Sequence, residues 1–345
     1  MSKKTAVVIC PGRGTYGKGE LGYLHKHHQN KIEMIKTIDT HRKKSNQLPI
    51  WDLDGAKSFS LKDHIPGENS ASLIYGCSLG DYLDINQDEY EIVAITGNSM
   101  GWYIACACAG VLNQENAINV INTMGSQMRD GLIGGQLIYP VVDENWNEDK
   151  DLVSLLEEKM NEVNNLKDHE AYTSIFFGGL RVIGGNDLAL KWLLKELPNV
   201  QERFPFKLPG NAAFHTPLLK HIVDKAKIDL PVNLFHTPKI PLIDGRGKIW
   251  MPYSTDINKL WDYTLDHQVS CEYDFTKCIE VAIKEFSPDC LIITGPGMTL
   301  GGAVAQSLIK FEYKDITNKE EFKKRQGLSP YVLAMGDDFQ RSLVL

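Results

Sequence analysis

Short apolar runs and longer segments of helical periodicity alternate along the first 128 residues. Residues 5–10 and 92–96 are almost wholly apolar, which is typical of strands buried in a parallel sheet. The residues at 72–83, 103–112 and 113–128 have the composition and spacing of helices. This alternation of strands and helices predicts a mostly parallel sheet with helices on both faces.

The pattern changes after residue 131. A strand, a helix, two strands around Gly178 and Gly179, a second helix and a last strand follow in the order of the ferredoxin-like unit. We therefore predict a ferredoxin-like α+β subdomain at 132–207, inserted into a core formed by 1–131 and 208–345. The predicted fold class is α/β, with a hydrolase-like, mostly parallel core sheet. The predicted elements of the insertion are 136–142, 152–163, 173–182, 187–197 and 203–208, and core strands resume at 240–244 and 290–294.

Composition excludes several classes of function. A net charge of −7 argues against nucleic-acid binding, and no apolar stretch approaches the ~20 residues of a membrane span. Because the seven cysteines lack metal-ligand spacing, we expect no metal, free thiols and a reducing, cytoplasmic compartment. The histidines at 25, 27, 28 and 41 occur in a polar helical segment, where we expect them to be solvated.

The segment 97–101, Gly-Asn-Ser-Met-Gly, separates a predicted buried strand from a predicted helix of small residues. Glycines on both sides of a serine at such a turn predict a nucleophile elbow, which exposes the Ser99 hydroxyl. The N-terminus of the following helix would offer free N–H groups and a positive dipole end to an oxyanion. Ser99 is therefore the candidate nucleophile.

A serine nucleophile needs a base, and His215 is the strongest candidate among the ten histidines. It occurs at a predicted strand-to-helix junction just after the inserted subdomain, and Pro217 suits the first turn of the helix. A lone histidine beside apolar residues is also typical of a structural position, so both interpretations remain open at this point.

Six features in this order resemble the malonyl-CoA:acyl carrier protein transacylases and the acyltransferase domains of fatty-acid and polyketide synthases. The resemblance covers nearly the whole chain. The features are the Pro-Gly-x-Gly turn at 11–14, the elbow at 97–101, the insertion at 132–207, His215, Gln268 and the Gly-Pro-Gly turn at 295–297.

The resemblance implies a Ser-His dyad that moves an acyl group from coenzyme A to the phosphopantetheine thiol of an acyl carrier protein. Ser99 would form the acyl-enzyme with His215 as base, and the backbone carbonyl of Gln268 would orient the imidazole. The backbone N–H groups of Met100 and Arg13 would form the oxyanion hole. Acyl-CoA and the carrier are the implied partners, with coenzyme A as part of the substrate and no tightly bound cofactor.

The departures from the family pattern concern the acyl-binding residues. Met124 occupies the position of the arginine that clamps a malonyl carboxylate, and Arg129 lies too far round a helix to replace it. Asn98 and Trp102 replace the usual histidine and glutamate beside the elbow. Phe214 precedes His215 and resembles the malonyl-type signature that excludes a branched α-carbon. We therefore expect an unbranched acyl group without a carboxylate.

Four other functions remain open. The same acyl-serine could be released by water in an acyl-thioester hydrolase that clears acyl carriers. Malonyl-specific transfer could operate despite Met124. The altered residues could also belong to a silent carrier-binding module, and an ordinary α/β-hydrolase would need Asp168 or Asp187 as its acid.

Overall fold

Strand β1 forms the centre of the larger sheet because its residues from Ala6 to Cys10 are all buried apolar side chains. The structure, a computed structural model, describes residues 2–127 and 133–345. Within these ranges the strands are β1 Lys4–Cys10, β2 Tyr90–Gly97, β3 Gly135–Pro140, β4 Ala171–Phe177, β5 Leu180–Gly185, β6 Phe206–Leu208, β7 Leu242–Ile243, β8 Ile249–Trp250, β9 Tyr273–Asp274, β10 Cys290–Ile293 and β11 Val332–Ala334.

Helices cover the larger sheet and one face of the smaller one. The α-helices are α1 Tyr23–His27, α2 Ile32–Lys44, α3 Ile50–Asp54, α4 Leu61–His64, α5 Gly67–Asp84, α6 Gly101–Cys108, α7 Gln114–Ser126, α8 Lys150–Asn164, α9 Asp187–Glu196, α10 Lys220–Asp229, α11 Ile257–Asp262, α12 Gln268–Ser270, α13 Phe275–Phe286, α14 Leu300–Lys310, α15 Lys319–Leu328 and α16 Asp338–Ser342. Short 3₁₀ helices occupy Lys18–Glu20, Pro217–Leu219, Val232–Leu234 and Tyr313–Asp315, and one π-helical turn occupies Tyr263–His267. None of the helices in the described ranges is both long enough and apolar enough to span a bilayer.

The larger sheet has the order β11-β10-β1-β2-β7-β8 and is parallel except for the β7–β8 pair at one edge. The smaller sheet has the order β6-β3-β5-β4-β9. Its first four strands are antiparallel and have the ferredoxin-like order, while β9 adds to β4 in parallel. The predicted fold class is confirmed. The smaller sheet has one strand more than predicted, β9, which comes from the sequence beyond 208 and pairs with β4.

Two predicted details differ from the structure. Helix α6 ends at Cys108 instead of continuing to residue 112, since Gly110 has a φ of 77° and so turns the chain out of the helix. The prediction that the N-terminal histidines are solvated is wrong for His27, whose side chain is only 12% exposed, and for His28, whose ring is fully buried. Its Nε2 lies 3.0 Å from Asp81 Oδ1, and its Nδ1 lies 3.2 Å from Asp84 Oδ2. The sequence pattern of one helix could not reveal partners that a second helix supplies.

Candidate active site

Ser99 lies in a tight turn between the end of β2 and the start of α6. Its φ of 55° is in the left-handed region, which is strained for a serine. Both flanking glycines are required by close backbone contacts. A Cβ on Gly97 would lie 2.2 Å from the Gly101 carbonyl oxygen, and one on Gly101 would lie 2.2 Å from the Cys10 carbonyl oxygen. The turn therefore has the geometry of a nucleophile elbow.

His215 contacts Ser99 across a separation of 116 residues. The His215 Nε2 lies 2.7 Å from the Ser99 hydroxyl oxygen. On the other side of the ring, Nδ1 lies 2.6 Å from the Gln268 carbonyl oxygen, which can only accept a hydrogen bond. Nδ1 therefore carries the proton, and the Nε2 lone pair accepts the hydrogen bond from Ser99. This is the tautomer that a general base needs.

Burial controls the charge of His215. The residue is 3% exposed, and this desolvation lowers its pKa to about 4, although the hydrogen bond to the Gln268 carbonyl opposes the shift. His267 lowers the pKa further through its charge. The imidazole is consequently neutral near pH 7 and able to take a proton from Ser99.

The side chain of Gln268 makes two further hydrogen bonds that were not predicted from the sequence. Its Nε2 donates to the Ser99 carbonyl oxygen at 3.0 Å, and its Oε1 accepts from the Tyr103 hydroxyl at 2.7 Å. Tyr103 lies in the first turn of α6, four residues after Ser99, and both residues line the narrow cavity. That spacing is the one sequence signal that could have pointed to Tyr103.

Two cavities meet beside Ser99, and their walls share Arg13, Ser99 and Phe214. The narrow cavity has mostly apolar walls and the wide cavity opens between the two sheets. The narrow cavity is lined by Arg13, Ala71, Ser99, Met100, Tyr103, Ile121, Met124, Gly125, Phe214, His215, Leu219, Ile222, Gln268 and Val269. The wide cavity is lined by Arg13, Gly14, Asn98, Ser99, Gln136, Ile138, Ile175, Phe177, Val182, Phe206, Leu208, Pro209, Asn211, Phe214 and Thr299.

The residues suggested for acyl binding therefore have different positions. Met124 lines the narrow cavity, Phe214 lines both, and Asn98 lines the wide cavity. Trp102 is fully buried, donates from Nε1 to the Thr264 hydroxyl at 3.0 Å, and is not in the wall of either cavity as the described residues form it. Arg129 lies outside the described residues.

Arg13 lies where the two cavities meet. Its Nη2 donates to the Gly210 carbonyl oxygen at 3.3 Å, and its guanidinium carbon lies 5.3 Å from the centre of the Phe214 ring. Burial lowers the pKa of Arg13 to about 10, while the charge of Glu68 opposes the shift. The side chain therefore stays cationic at neutral pH and occupies the rim of the narrow cavity next to Ser99.

The fold and the site define an α/β protein with a serine elbow and a contacting, neutral histidine. No model of a known protein family matches the chain. A curated malonyl-CoA:acyl carrier protein transacylase of Salmonella typhimurium is 24% identical over 213 residues. The match covers 60% of this chain and 63% of that protein, so it spans less than two thirds of the relative.

Two solved structures extend the comparison to the whole fold. The malonyl-CoA:acyl carrier protein transacylase of Xanthomonas oryzae pv. oryzae superposes with a TM-score of 0.75 at 17% identity, covering 100% of this chain and 98% of that one. A malonyl-transacylase in complex with a type II polyketide synthase acyl carrier protein gives a TM-score of 0.72 at 18% identity, covering 99% of each chain. The chain thus has the fold of these transacylases, and the resemblance inferred from its motifs is confirmed at the level of fold.

Proposed function

We propose that this chain is an acyltransferase that moves an acyl group from acyl-CoA to the phosphopantetheine thiol of an acyl carrier protein. The observation that carries the proposal is the 2.7 Å contact between the Ser99 hydroxyl and the His215 Nε2 at the junction of two cavities. The transacylase fold supports it, as does the carrier complex known for one protein of that fold. Coenzyme A is part of the substrate, and no tightly bound cofactor is needed for this chemistry.

In the first half-reaction the Ser99 hydroxyl oxygen attacks the thioester carbonyl while His215 Nε2 takes its proton. The carbon–sulfur bond breaks, the protonated His215 returns the proton to the leaving sulfur, and free coenzyme A departs. In the second half-reaction His215 takes the proton of the carrier thiol, whose sulfur attacks the acyl-serine. Ser99 then leaves with that proton, and the thioester is formed on the carrier.

The oxyanion of each tetrahedral intermediate needs hydrogen-bond donors. We propose the backbone N–H groups of Met100 and Arg13 for this role. Met100 is the N-cap of α6, where helix N–H groups lack intrahelical partners, and Arg13 lies in the cavity walls beside Ser99. Because backbone groups act here, an arginine at position 13 is compatible with the chemistry.

We further propose that the two cavities bind different parts of the substrate. We also propose that residues 132–207 form a separate subdomain inserted into the core. The wide cavity lies between the smaller sheet and the core and has room for a phosphopantetheine arm, with a volume of about 430 Å³. The narrow cavity would take the acyl group. Its apolar walls, with Met124 in place of a clamping arginine, favour an uncharged acyl group, and Phe214 at its mouth disfavours an α-branch.

Ser99→Ala tests the proposed chemistry. We expect a loss of acyl-CoA to carrier transfer of at least about a thousandfold, because no other group would form the acyl-enzyme. Intact-mass spectrometry should find the acyl adduct on the wild-type chain and none on the variant. Unchanged transfer by Ser99→Ala would overturn the proposal.

Arg13 favours one alternative substrate, a malonyl group, because a guanidinium near the nucleophile could bind a carboxylate. Loading of Ser99 from malonyl-CoA, compared with butyryl-CoA, separates the two possibilities. We expect butyryl to load faster, and Met124→Arg to raise malonyl loading by roughly 30- to 1000-fold, the value of a charged hydrogen-bond pair. If the wild-type chain loaded malonyl faster than butyryl, and Arg13→Met lost this preference, the substrate would be a malonyl group bound by Arg13.

A further inference from the structure

The size of the narrow cavity bears on the length of the acyl group. The volume of the narrow cavity is only about 40 Å³. The wide cavity on the other side of Ser99 offers about ten times as much room.

The walls of the narrow cavity come from helices that pack closely. Ala71 lies on α5, Ile121 and Met124 lie on α7, and all three are nearly fully buried. At the neighbouring Gly125, an added Cβ would lie 2.9 Å from the Gly67 carbonyl oxygen, so α7 approaches the backbone of α5 directly. Close-packed interiors resist expansion, so a longer chain could not enlarge this space without displacing helices.

The polar groups of the narrow cavity lie towards Ser99. Arg13, Ser99 and Phe214 also line the wide cavity, and His215 and Gln268 contact Ser99 directly. Met124, Ile121 and Ile222 line the narrow cavity only. An acyl group extending away from Ser99 would therefore meet mainly apolar side chains.

We propose that the narrow cavity admits only a short, straight acyl chain, in the size range of the acetyl and butyryl groups. This inference rests on the proposed acyl transfer and names its substrate class. The small volume of the narrow cavity and its close-packed helical walls would exclude a long chain such as octanoyl unless the helices moved.

The test measures kcat/KM for loading of Ser99 from acetyl-, butyryl- and octanoyl-CoA by intact-mass spectrometry. We expect octanoyl-CoA to load at least about 30-fold more slowly than butyryl-CoA, since overpacking of a close-packed site is costly. Octanoyl loading equal to or faster than butyryl loading would overturn the size limit while leaving acyl transfer intact. Absence of any adduct on Ser99 from all three donors would instead overturn the proposed function.

Ile222→Ala supplies a variant that deepens the cavity, because this α10 side chain lines it. We expect the ratio of octanoyl to butyryl kcat/KM to rise at least about tenfold, as the removed methyl groups make room for the chain. Ile228→Ala is the matched control, since Ile228 lies on the same helix but is 80% exposed and should leave the ratio unchanged.

A second variant acts in the opposite direction and does not depend on Ile222→Ala folding well. Ala71→Val narrows the cavity from α5, so acetyl loading should persist while butyryl loading falls at least about fivefold. Equal responses of acetyl and butyryl loading to this variant would contradict the proposal.

Discussion

Gln268 contributes to the site through its main chain and its side chain separately. The carbonyl oxygen accepts from His215 Nδ1, while the side chain links the Ser99 carbonyl to the Tyr103 hydroxyl. Ser99 and His215 both have φ values near 55°, which the surroundings must hold in place. The side chain of Gln268 therefore helps to maintain the strained backbone of the nucleophile.

Gln268→Ala separates these two roles, because it removes the side chain and keeps the carbonyl that orients His215. We expect kcat for acylation to fall about 10- to 100-fold with little change in KM, since two buried hydrogen bonds are lost and Tyr103 is left without its partner. Stopped-flow acylation of Ser99 measures both constants. Gln114→Ala, at an exposed position, is the matched control. A change in KM alone would contradict the positioning role.

The depressed pKa of His215 predicts an unusual pH profile for acylation. A general base must be neutral, and an ordinary histidine becomes neutral only above its pKa of about 6.5. Burial lowers the pKa of His215 to about 4, so this residue is already neutral well below pH 6.5. The acid limb of kcat/KM should thus lie near pH 4, and the rate at pH 5.5 should be close to that at pH 7.5. Single-turnover loading from acyl-CoA measures this profile, and a limb at pH 6.5 or above would contradict it.

The lowered pKa of His215 also makes the free energy of unfolding depend on pH. Between pH 6.5 and about 4 the unfolded chain binds a proton at His215 that the folded chain excludes. The contribution of this residue to the free energy of unfolding therefore falls as the pH drops through that window. The stability of the protein must be measured beside the rate, so that a loss of folded protein is not mistaken for titration of the base.

Ser99 and His215 could be predicted because each occurs in a local pattern, a glycine-flanked turn and a strand-to-helix junction. The side-chain role of Gln268 could not, since it depends on hydrogen bonds to residues 165 and 169 positions away. Trp102 shows the opposite error. Its proximity to Ser99 along the chain suggested acyl binding, but its side chain points into the core against Tyr263, with ring centres 5.2 Å apart.

At the scale of elements, one buried aspartate connects four parts of the fold. Asp81 on α5 accepts hydrogen bonds from the Tyr23 hydroxyl at 2.8 Å and the Gly295 N–H at 2.6 Å, and it pairs with His28 and Arg341. Burial opposes the charging of His28, but its hydrogen bonds to Asp81 and Asp84 outweigh this and raise its pKa. The Gly-Pro-Gly turn is therefore fixed by a buried carboxylate that no nearby sequence reveals.

Asp81→Asn tests this connection. The change keeps the volume and removes one of the two carboxylate charges beside Arg341 and His28, which both keep Asp84 as a partner. We expect the free energy of unfolding to fall by about 1.5–3 kcal/mol, the usual value of a buried hydrogen bond to a charged group. Urea denaturation measures the loss, and the exposed Asp88→Asn is the matched control. A loss below 1 kcal/mol would show that the network adds little.

Helix and strand positions were predictable to within a few residues where the hydrophobic pattern was long and glycine or proline ended it. Helix α8, predicted at 152–163, spans Lys150–Asn164, and its N-cap Asp149 accepts from the Asp151 and Leu152 N–H groups. Strand β9 was missed because two residues give no periodicity, and only pairing with β4 makes them a strand. Local patterns therefore indicated the elements, and long-range pairing determined how the two sheets are joined.

At the scale of the whole molecule, the smaller sheet holds the segment that carries His215. The Ser174 hydroxyl on β4 donates to the Phe214 carbonyl oxygen at 2.7 Å, and Gln136 Nε2 on β3 donates to the Ser174 oxygen at 2.7 Å. From the core side, the His215 N–H donates to the Val269 carbonyl oxygen at 3.0 Å. The imidazole is thus positioned by contacts with the smaller sheet and with α12 of the core.

This arrangement predicts that the smaller sheet influences whether the acyl-serine is transferred to the carrier or hydrolysed. Ser174→Ala removes the shorter of two hydrogen bonds to the Phe214 carbonyl and leaves Gln136 Nε2 with only its 3.5 Å hydrogen bond to that carbonyl, so the segment at 211–216 should loosen. We expect acylation to slow about 5- to 30-fold, the cost of one or two buried hydrogen bonds, and the share of acyl-serine released as free acid to rise because water reaches the ester more readily. Chromatography of free acid against acyl-carrier, at saturating carrier, measures this share. The matched control is Ser154→Ala on the exposed face of α8. If Ser174→Ala left both the rate and the share released to water at the control values, the smaller sheet would serve as a cover for the wide cavity without positioning the base.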